Sequence, residues 1–222
     1  MAYGALGRIG KAVVLSAALA GAVWADEVRV IALGDSLTQG FGLLEEQGFV
    51  PQLEAWLRAR GADVVVENHG VSGDTTAGGL ARIGWALSPE ADALIVALGG
   101  NDLLRGIPPE TARANLDGIL AEAEARDLPV LLVGLEAPGN YGPEYKAAFD
   151  AMYPELAEEF DTLYAESFLA PLSEAAETDR AGALARYMQP DGIHPNAEGV
   201  ARIVEALGPA VEALIERVSP QS

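Results

Sequence analysis

Five short apolar runs, separated by longer stretches with helical spacing, limit what this chain can fold into. The runs are Val28 to Leu33, Asp63 to Glu67, Ala93 to Leu98, Val130 to Leu135 and, more weakly patterned, Thr162 to Ala165. Their lengths and bounding turn residues read as strands. They are near-continuous where one wet face would produce alternation, so both faces must be covered. Helical spacing predicts helices at Phe49 to Arg60, Thr75 to Leu87, Pro109 to Arg126, Tyr145 to Phe160 and Ala197 to Val218. Gly61 can stop the first, Pro109 can open the third, and Asn196 can cap the last. The β-helix-β order predicts an α/β fold, a parallel five-stranded sheet with helices on each side. No repeat or Pro/Gly/Ser linker divides the chain. Glu166 to Gln189 is ambiguous, because Ala, Glu and Arg favour helix while Pro171, Thr178-Asp179 and Gly182 interrupt it.

The first 25 residues read as a leader rather than as fold. Arg8 and Lys11 stand without acidic neighbours ahead of an apolar run, 12–23, and small Ala25 precedes Asp26-Glu27. The run is short of the roughly 20 residues a membrane-spanning helix needs, so the pattern is that of a secretory signal. Cleavage after Ala25 is expected, leaving one domain over 26–222 in a periplasm or the medium, with no stable membrane insertion.

Charge and residue usage narrow the function classes. With 14 Lys and Arg against 33 Asp and Glu, the formal net charge is -19. Such a surface repels polyanions, which disfavours nucleic acid, an anionic membrane and acyl-CoA as partners. There is no cysteine, hence no disulfide, thiolate nucleophile or Cys-ligated metal, and only His69 and His194 supply imidazoles. A zinc site is therefore not expected, and no metal or organic cofactor is implied.

In a parallel sheet of this kind, ligands bind at the carboxyl ends of the strands. The first strand ends in Gly34-Asp35-Ser36-Leu37, the second leads to Gly70-Val71-Ser72-Gly73-Asp74-Thr75, and the third ends in Gly99-Gly100-Asn101-Asp102. Asp191-Gly192-Ile193-His194 lies just before the last helix. A hydroxyl, an imidazole, a carboxylate to orient it and amide donors are what acyl transfer requires. Each residue also has an ordinary reading. Ser36 can be a turn or cap, Asp35 a loop-organising hydrogen-bonder, Asn101 and Gly73 turn formers, and Asp191 part of an Asp-Gly turn. His69 reads as structural or as pocket wall, since no carboxylate at a comparable offset precedes it.

Together these blocks resemble the SGNH-hydrolase superfamily, the GDSL esterases and lipases, in its thioesterase I, lysophospholipase L1 and arylesterase branch. The resemblance runs across essentially the whole chain after the leader. It rests on Gly34-Asp35-Ser36-Leu37, Gly73 of Gly-Val-Ser-Gly-Asp-Thr-Thr, Asn101 of Gly-Gly-Asn-Asp, and Asp191-x-x-His194. It implies a flavodoxin-like α/β/α sandwich with strand order 2-1-3-4-5. It also implies Ser36 as nucleophile, His194 as base then acid, and Asp191 as the partner of His194. The oxyanion hole would comprise the N–H groups of Ser36 and Gly73 and the Asn101 amide. Asp35, Leu37, Asn140, Tyr141 and Ile193 are expected at the substrate. The Gly-x-Ser-x-Gly elbow of α/β-hydrolases is missing, because Thr38 stands where its second Gly would be.

The activity implied is hydrolysis of acyl esters and thioesters of short to medium chain, including lysophospholipids, by a monomer or weak oligomer. A carbohydrate O-deacetylase on the same fold and a flavodoxin-like ligand-binding module stay open as alternatives. Glu136 to Pro143 resembles the branch's mobile loop beside the acyl pocket. Gly139 replaces an expected proline there, which loosens the loop and blocks transfer of a chain-length preference.

Overall fold

The computed structural model describes Met1 and residues 27–218, and the expected leader, apart from Met1, lies outside the described residues. The strands are β1 (Val28–Gly34), β2 (Val64–Gly70), β3 (Ala93–Ala97), β4 (Val130–Val133) and β5 (Leu163–Ala165). They form one all-parallel sheet in the order β2-β1-β3-β4-β5, as the resemblance implies. Val30, Ile31, Ala32 and Leu33 are all at 0% exposure. Consecutive burial of that kind requires a helical layer on each face, and each Val, Ile or Leu side chain contributes about 1.5–3 kcal/mol on burial.

The helices are α1 (Ser36–Gln39), α2 (Phe49–Ala59), α3 (Thr76–Ala86), α4 (Gly100–Leu104) and α5 (Pro109–Glu124). They continue with α6 (Pro143–Glu159), α7 (Ala170–Thr178), α8 (Arg180–Tyr187) and α9 (Ala197–Glu216). One group packs α2 on α9 with α7 and α8 alongside, and the other packs α5 between α3 and α6. The ambiguous 166–189 stretch resolves into α7 and α8. Its apparent breakers are helix punctuation: Pro171 sits in the first turn of α7, and Asp179 caps α8 by accepting the Gly182 N–H at 3.0 Å.

Two features place the site. The chain winds from β1 outward to β2 and then returns past β1 to β3, so the segments leaving β1 and β3 diverge and open a crevice between them. Short helices not expected from the spacing, α1 and α4, begin in that crevice with Ser36 and Gly100. In addition, β2 runs three residues beyond its apolar run, because Asn68, His69 and Gly70 continue in register with Ala32, Leu33 and Gly34 of β1.

Candidate active site

Asp35 caps α1, its Oδ1 accepting the Leu37 N–H at 3.0 Å, and the cap sets Ser36 at the first position of that helix. The second part of the site comes from the segment between α8 and α9. Asn196 caps α9 by accepting the N–H groups of Glu198 and Gly199, and its amide donates to Arg186 O at 2.7 Å. The Gln189 N–H donates to His194 O at 2.8 Å, and the turn between them passes through Gly192 at φ +68°. These bonds form a closed loop that presents Asp191 and His194 toward α1.

His194 Nε2 lies 2.9 Å from Ser36 Oγ, and His194 Nδ1 lies 2.6 Å from Asp191 Oδ2. Asp191 Oδ1 also accepts the N–H groups of Ile193 at 2.9 Å and His194 at 3.0 Å. The bond from the His194 ring, then those two N–H groups, hold the Asp191 carboxyl down at about 2. An ionised carboxylate on Nδ1 keeps the proton there and leaves the Nε2 lone pair facing the serine hydroxyl. Such an arrangement can take a proton from Ser36 and return it to a leaving group.

The groups expected as oxyanion donors lie on the segments after β1, β2 and β3. Neither the Ser36 nor the Gly73 N–H has a protein acceptor among the described residues. Gly73 has φ +83°, which is costly for other residues, whereas an added Cβ would meet only Arg105 Nη2 at 3.7 Å. The backbone angle, more than crowding, thus calls for glycine. The loop bearing Gly73 is anchored on three sides. Ser72 donates its N–H to Gln39 Oε1 at 3.1 Å, Asp74 pairs with Arg82 at 2.7 Å, and Arg82 also donates to Gly34 O at 3.0 Å. Wholly buried Asp102 accepts both the N–H and the hydroxyl of Thr76, at 2.8 and 2.7 Å.

Asp35 does not face the crevice as a substrate contact. It is 2% exposed, and its Oδ2 accepts the Asn101 amide at 3.3 Å, so it lies behind the site. Burial pushes its carboxyl up to about 6, against the opposing effects of the Leu37 N–H, nearby His194 and Asn101. Leu37 packs against the hydrophobic core. Ile193 and Tyr141 are 46% and 43% exposed, and Tyr141 packs on Tyr145, with ring centroids 5.0 Å apart. Asn140 lies exposed in the 3-10 turn Gly139–Tyr141. Around that turn, Lys146 Nζ ties Glu136, Ala137 O and Asp150 together at 2.7–2.8 Å.

Three relationships escape the sequence reading. Phe41 packs against His194 with ring centroids 4.6 Å apart, and Gln189 Nε2 donates to Phe41 O at 2.7 Å and Pro195 O at 3.0 Å. No local spacing announces these contacts, since Phe41 and Gln189 are far apart in sequence. His69 Nε2 lies 3.3 Å from Glu67 Oε2. Glu67, two residues upstream, corrects the expectation that no carboxylate stands at a short offset before His69; the signal overlooked was that alternate residues of a strand share a face. A cavity of about 850 Å³ runs between residues 39–45, α2 and β2. It reaches the site through Phe41 and is not lined by Ser36, Asn101 or His194.

Comparison with known proteins agrees with this architecture. Residues 32–202 match the model of the GDSL-like Lipase/Acylhydrolase family. The chain is 38% identical over 187 residues to Esterase TesA of Pseudomonas aeruginosa, covering 84% of this chain and 89% of that protein. It is 33% identical over 178 residues to an Arylesterase of Vibrio mimicus, covering 80% and 84% respectively. Among solved structures, AlinE4, an SGNH-hydrolase family esterase, superposes with a TM-score of 0.68 at 43% identity, over 85% of this chain and 96% of that one. A crystal structure of TesA superposes with a TM-score of 0.75 at 36% identity, over 84% and 99%. With Ser36, Asn101 and His194 gathered at the crevice of a 2-1-3-4-5 sheet, and a family match spanning most of its length, the chain belongs to the GDSL-like lipase/acylhydrolase family.

Proposed function

We propose that this protein is an exported serine hydrolase of acyl esters and thioesters, working through an acyl-enzyme on Ser36. The observation carrying this reading is the chain of hydrogen bonds from Asp191 through His194 to Ser36 Oγ, at 2.6 and 2.9 Å. Ser36 Oγ attacks the carbonyl as its proton passes to His194 Nε2. The oxyanion is met by the Ser36 and Gly73 N–H groups and the Asn101 amide, and His194 then protonates the departing alcohol or thiol. Water, activated by the same imidazole, cleaves the acyl-enzyme. The substrates are small esters of short to medium acyl chain, lysophospholipids among them. The leader pattern before Asp26 supports export with cleavage after Ala25. Among the described residues no helix is long and apolar enough to cross a membrane.

Hydrolysis of p-nitrophenyl butyrate by the chain from Asp26, with Ser36→Ala in parallel, tests the mechanism. Activity that disappears in the variant supports it; full activity in Ser36→Ala overturns it. A series from acetyl to palmitoyl esters tests the substrate range, where a sharp optimum at acetyl would replace this reading with a deacetylase.

A further inference from the structure

The surface is strongly acidic, and most of the cations among the described residues are paired with carboxylates. Arg29, Arg58, Arg82, Arg113, Arg126 and Lys146 each stand within ion-pair distance of a carboxylate. Arg105 is an exception at the mouth of the crevice. It is exposed, and among the described residues no carboxylate lies within 4.0 Å of its guanidinium. Its position is defined by the fold. The Arg105 N–H donates to Asn101 O at 3.2 Å, one helical turn past the oxyanion-hole amide, so the two side chains leave the same face of α4. One guanidinium nitrogen donates to Gly73 O at 2.7 Å, which holds the group against the loop bearing another oxyanion donor. The other N–H groups of the fork have no protein acceptor among the described residues.

Leu104 is 59% exposed, the Tyr141 hydroxyl donates to its carbonyl at 3.5 Å, and the Tyr141 ring lies against Gly106, so an exposed apolar strip adjoins the segment that carries Arg105. A pre-positioned, unpaired guanidinium favours a phosphate or carboxylate in fork geometry, and the strip favours an alkyl chain. We infer that Arg105 is a specificity-determining residue that selects amphiphilic esters carrying one anionic group close to the scissile bond. The net negative charge does not oppose this, because screening confines it to about 8 Å at physiological ionic strength, whereas the contact with Arg105 is direct. This inference rests on the esterase reading and deepens it by naming the substrate class.

The test is the ratio of kcat/KM for anionic over neutral partners, measured below micelle formation for the chain from Asp26, Arg105→Gln and Arg105→Lys. One pair is hexanoyl-glycerol-3-phosphate against monohexanoylglycerol, with the charge on the alcohol side. The other is the p-nitrophenyl monoester of adipate against p-nitrophenyl hexanoate, with the charge on the acyl side. The expected result is a ratio about tenfold lower in Arg105→Gln for at least one pair, with Arg105→Lys between the two. The pair that responds identifies whether phosphate or carboxylate is the source. The same ratio in the wild type should fall as salt rises. Equal losses on charged and neutral substrates would show that Arg105 only braces Gly73, and unchanged ratios would show that it contacts no anion. Either result overturns the inference, while hydrolysis of the neutral esters would leave the serine mechanism standing.

Discussion

The carboxylate of Asp35 holds the amide of Asn101. Oδ2 accepts one Nδ2 hydrogen at 3.3 Å from inside the protein, which leaves the second hydrogen of that amide for an oxyanion. Asp35 immediately precedes Ser36, so one residue links the turn bearing the proposed nucleophile to the helix bearing the proposed oxyanion donor.

Replacing Asp35 with Asn should separate stability from activity. The folded carboxyl titrates near 6 against an ordinary 3.8, so the folded state binds more protons than the unfolded state between those values. Its contribution to stability is therefore largest below pH 3.8 and is lost as pH rises through about 6, a cost of about 3 kcal/mol at neutral pH for so buried a group. Burial is the chief cause; Asn101, the Leu37 N–H, His194 and Asp102 are the groups facing it. Asp35→Asn should gain stability relative to wild type as pH rises from 4 to 8, read by urea unfolding. Its kcat should fall by about 10²–10³, because an amide donor facing Asn101 turns that side chain away. A stability difference that does not change with pH would contradict the assignment.

Asp191→Asn should lower kcat by about 10²–10⁴ with KM little changed, toward the smaller loss because the Asp191 side chain is 38% exposed. Since its carboxyl is held at about 2, Asp191 stays ionised across the working range. The kcat/KM profile of the wild type should show no inflection from it above pH 4, which a pH series in constant ionic strength would check.

Gln189→Ala should reduce kcat about tenfold while leaving KM nearly constant. The variant loses the bonds to Phe41 O and Pro195 O that close the His194 loop onto the Ser36 segment, and small displacements of reacting groups are costly. Steady-state kinetics on p-nitrophenyl butyrate distinguish this from simple destabilisation, because unfolding midpoints should move little. A loss confined to KM would place Gln189 in substrate binding instead.

Gly99→Ala should destabilise severely, by about 3 kcal/mol or more. Gly99 has φ +122°, and its added Cβ would lie 2.1 Å from the hydroxyl of Tyr153. That hydroxyl is buried and donates to Leu98 O at 3.0 Å, so it has nowhere to retreat. Thermal unfolding with Gly84→Ala as a control on an open helical position would check it.

Much of this molecule was written in local order. Near-continuous apolar runs dictated a doubly covered parallel sheet, and the Asp191-x-x-His194 spacing placed a carboxylate beside an imidazole, because residues three apart across a glycine turn can touch. Those relationships depend on neighbours in the chain, which is why composition and spacing sufficed. The meeting of Ser36 with His194 across 158 positions is different. So are the burial of Asp35, the clasp of Gln189 on Phe41, the grip of Arg105 on Gly73, and the two short helices in the crevice. Each of these follows from the switch between β1 and β3 and from how α9 packs on α2, long-range relationships selected by core packing and hydrogen-bond satisfaction over the whole domain. Residue identity supplied the chemical groups; packing decided which of them face the crevice and which stand behind it.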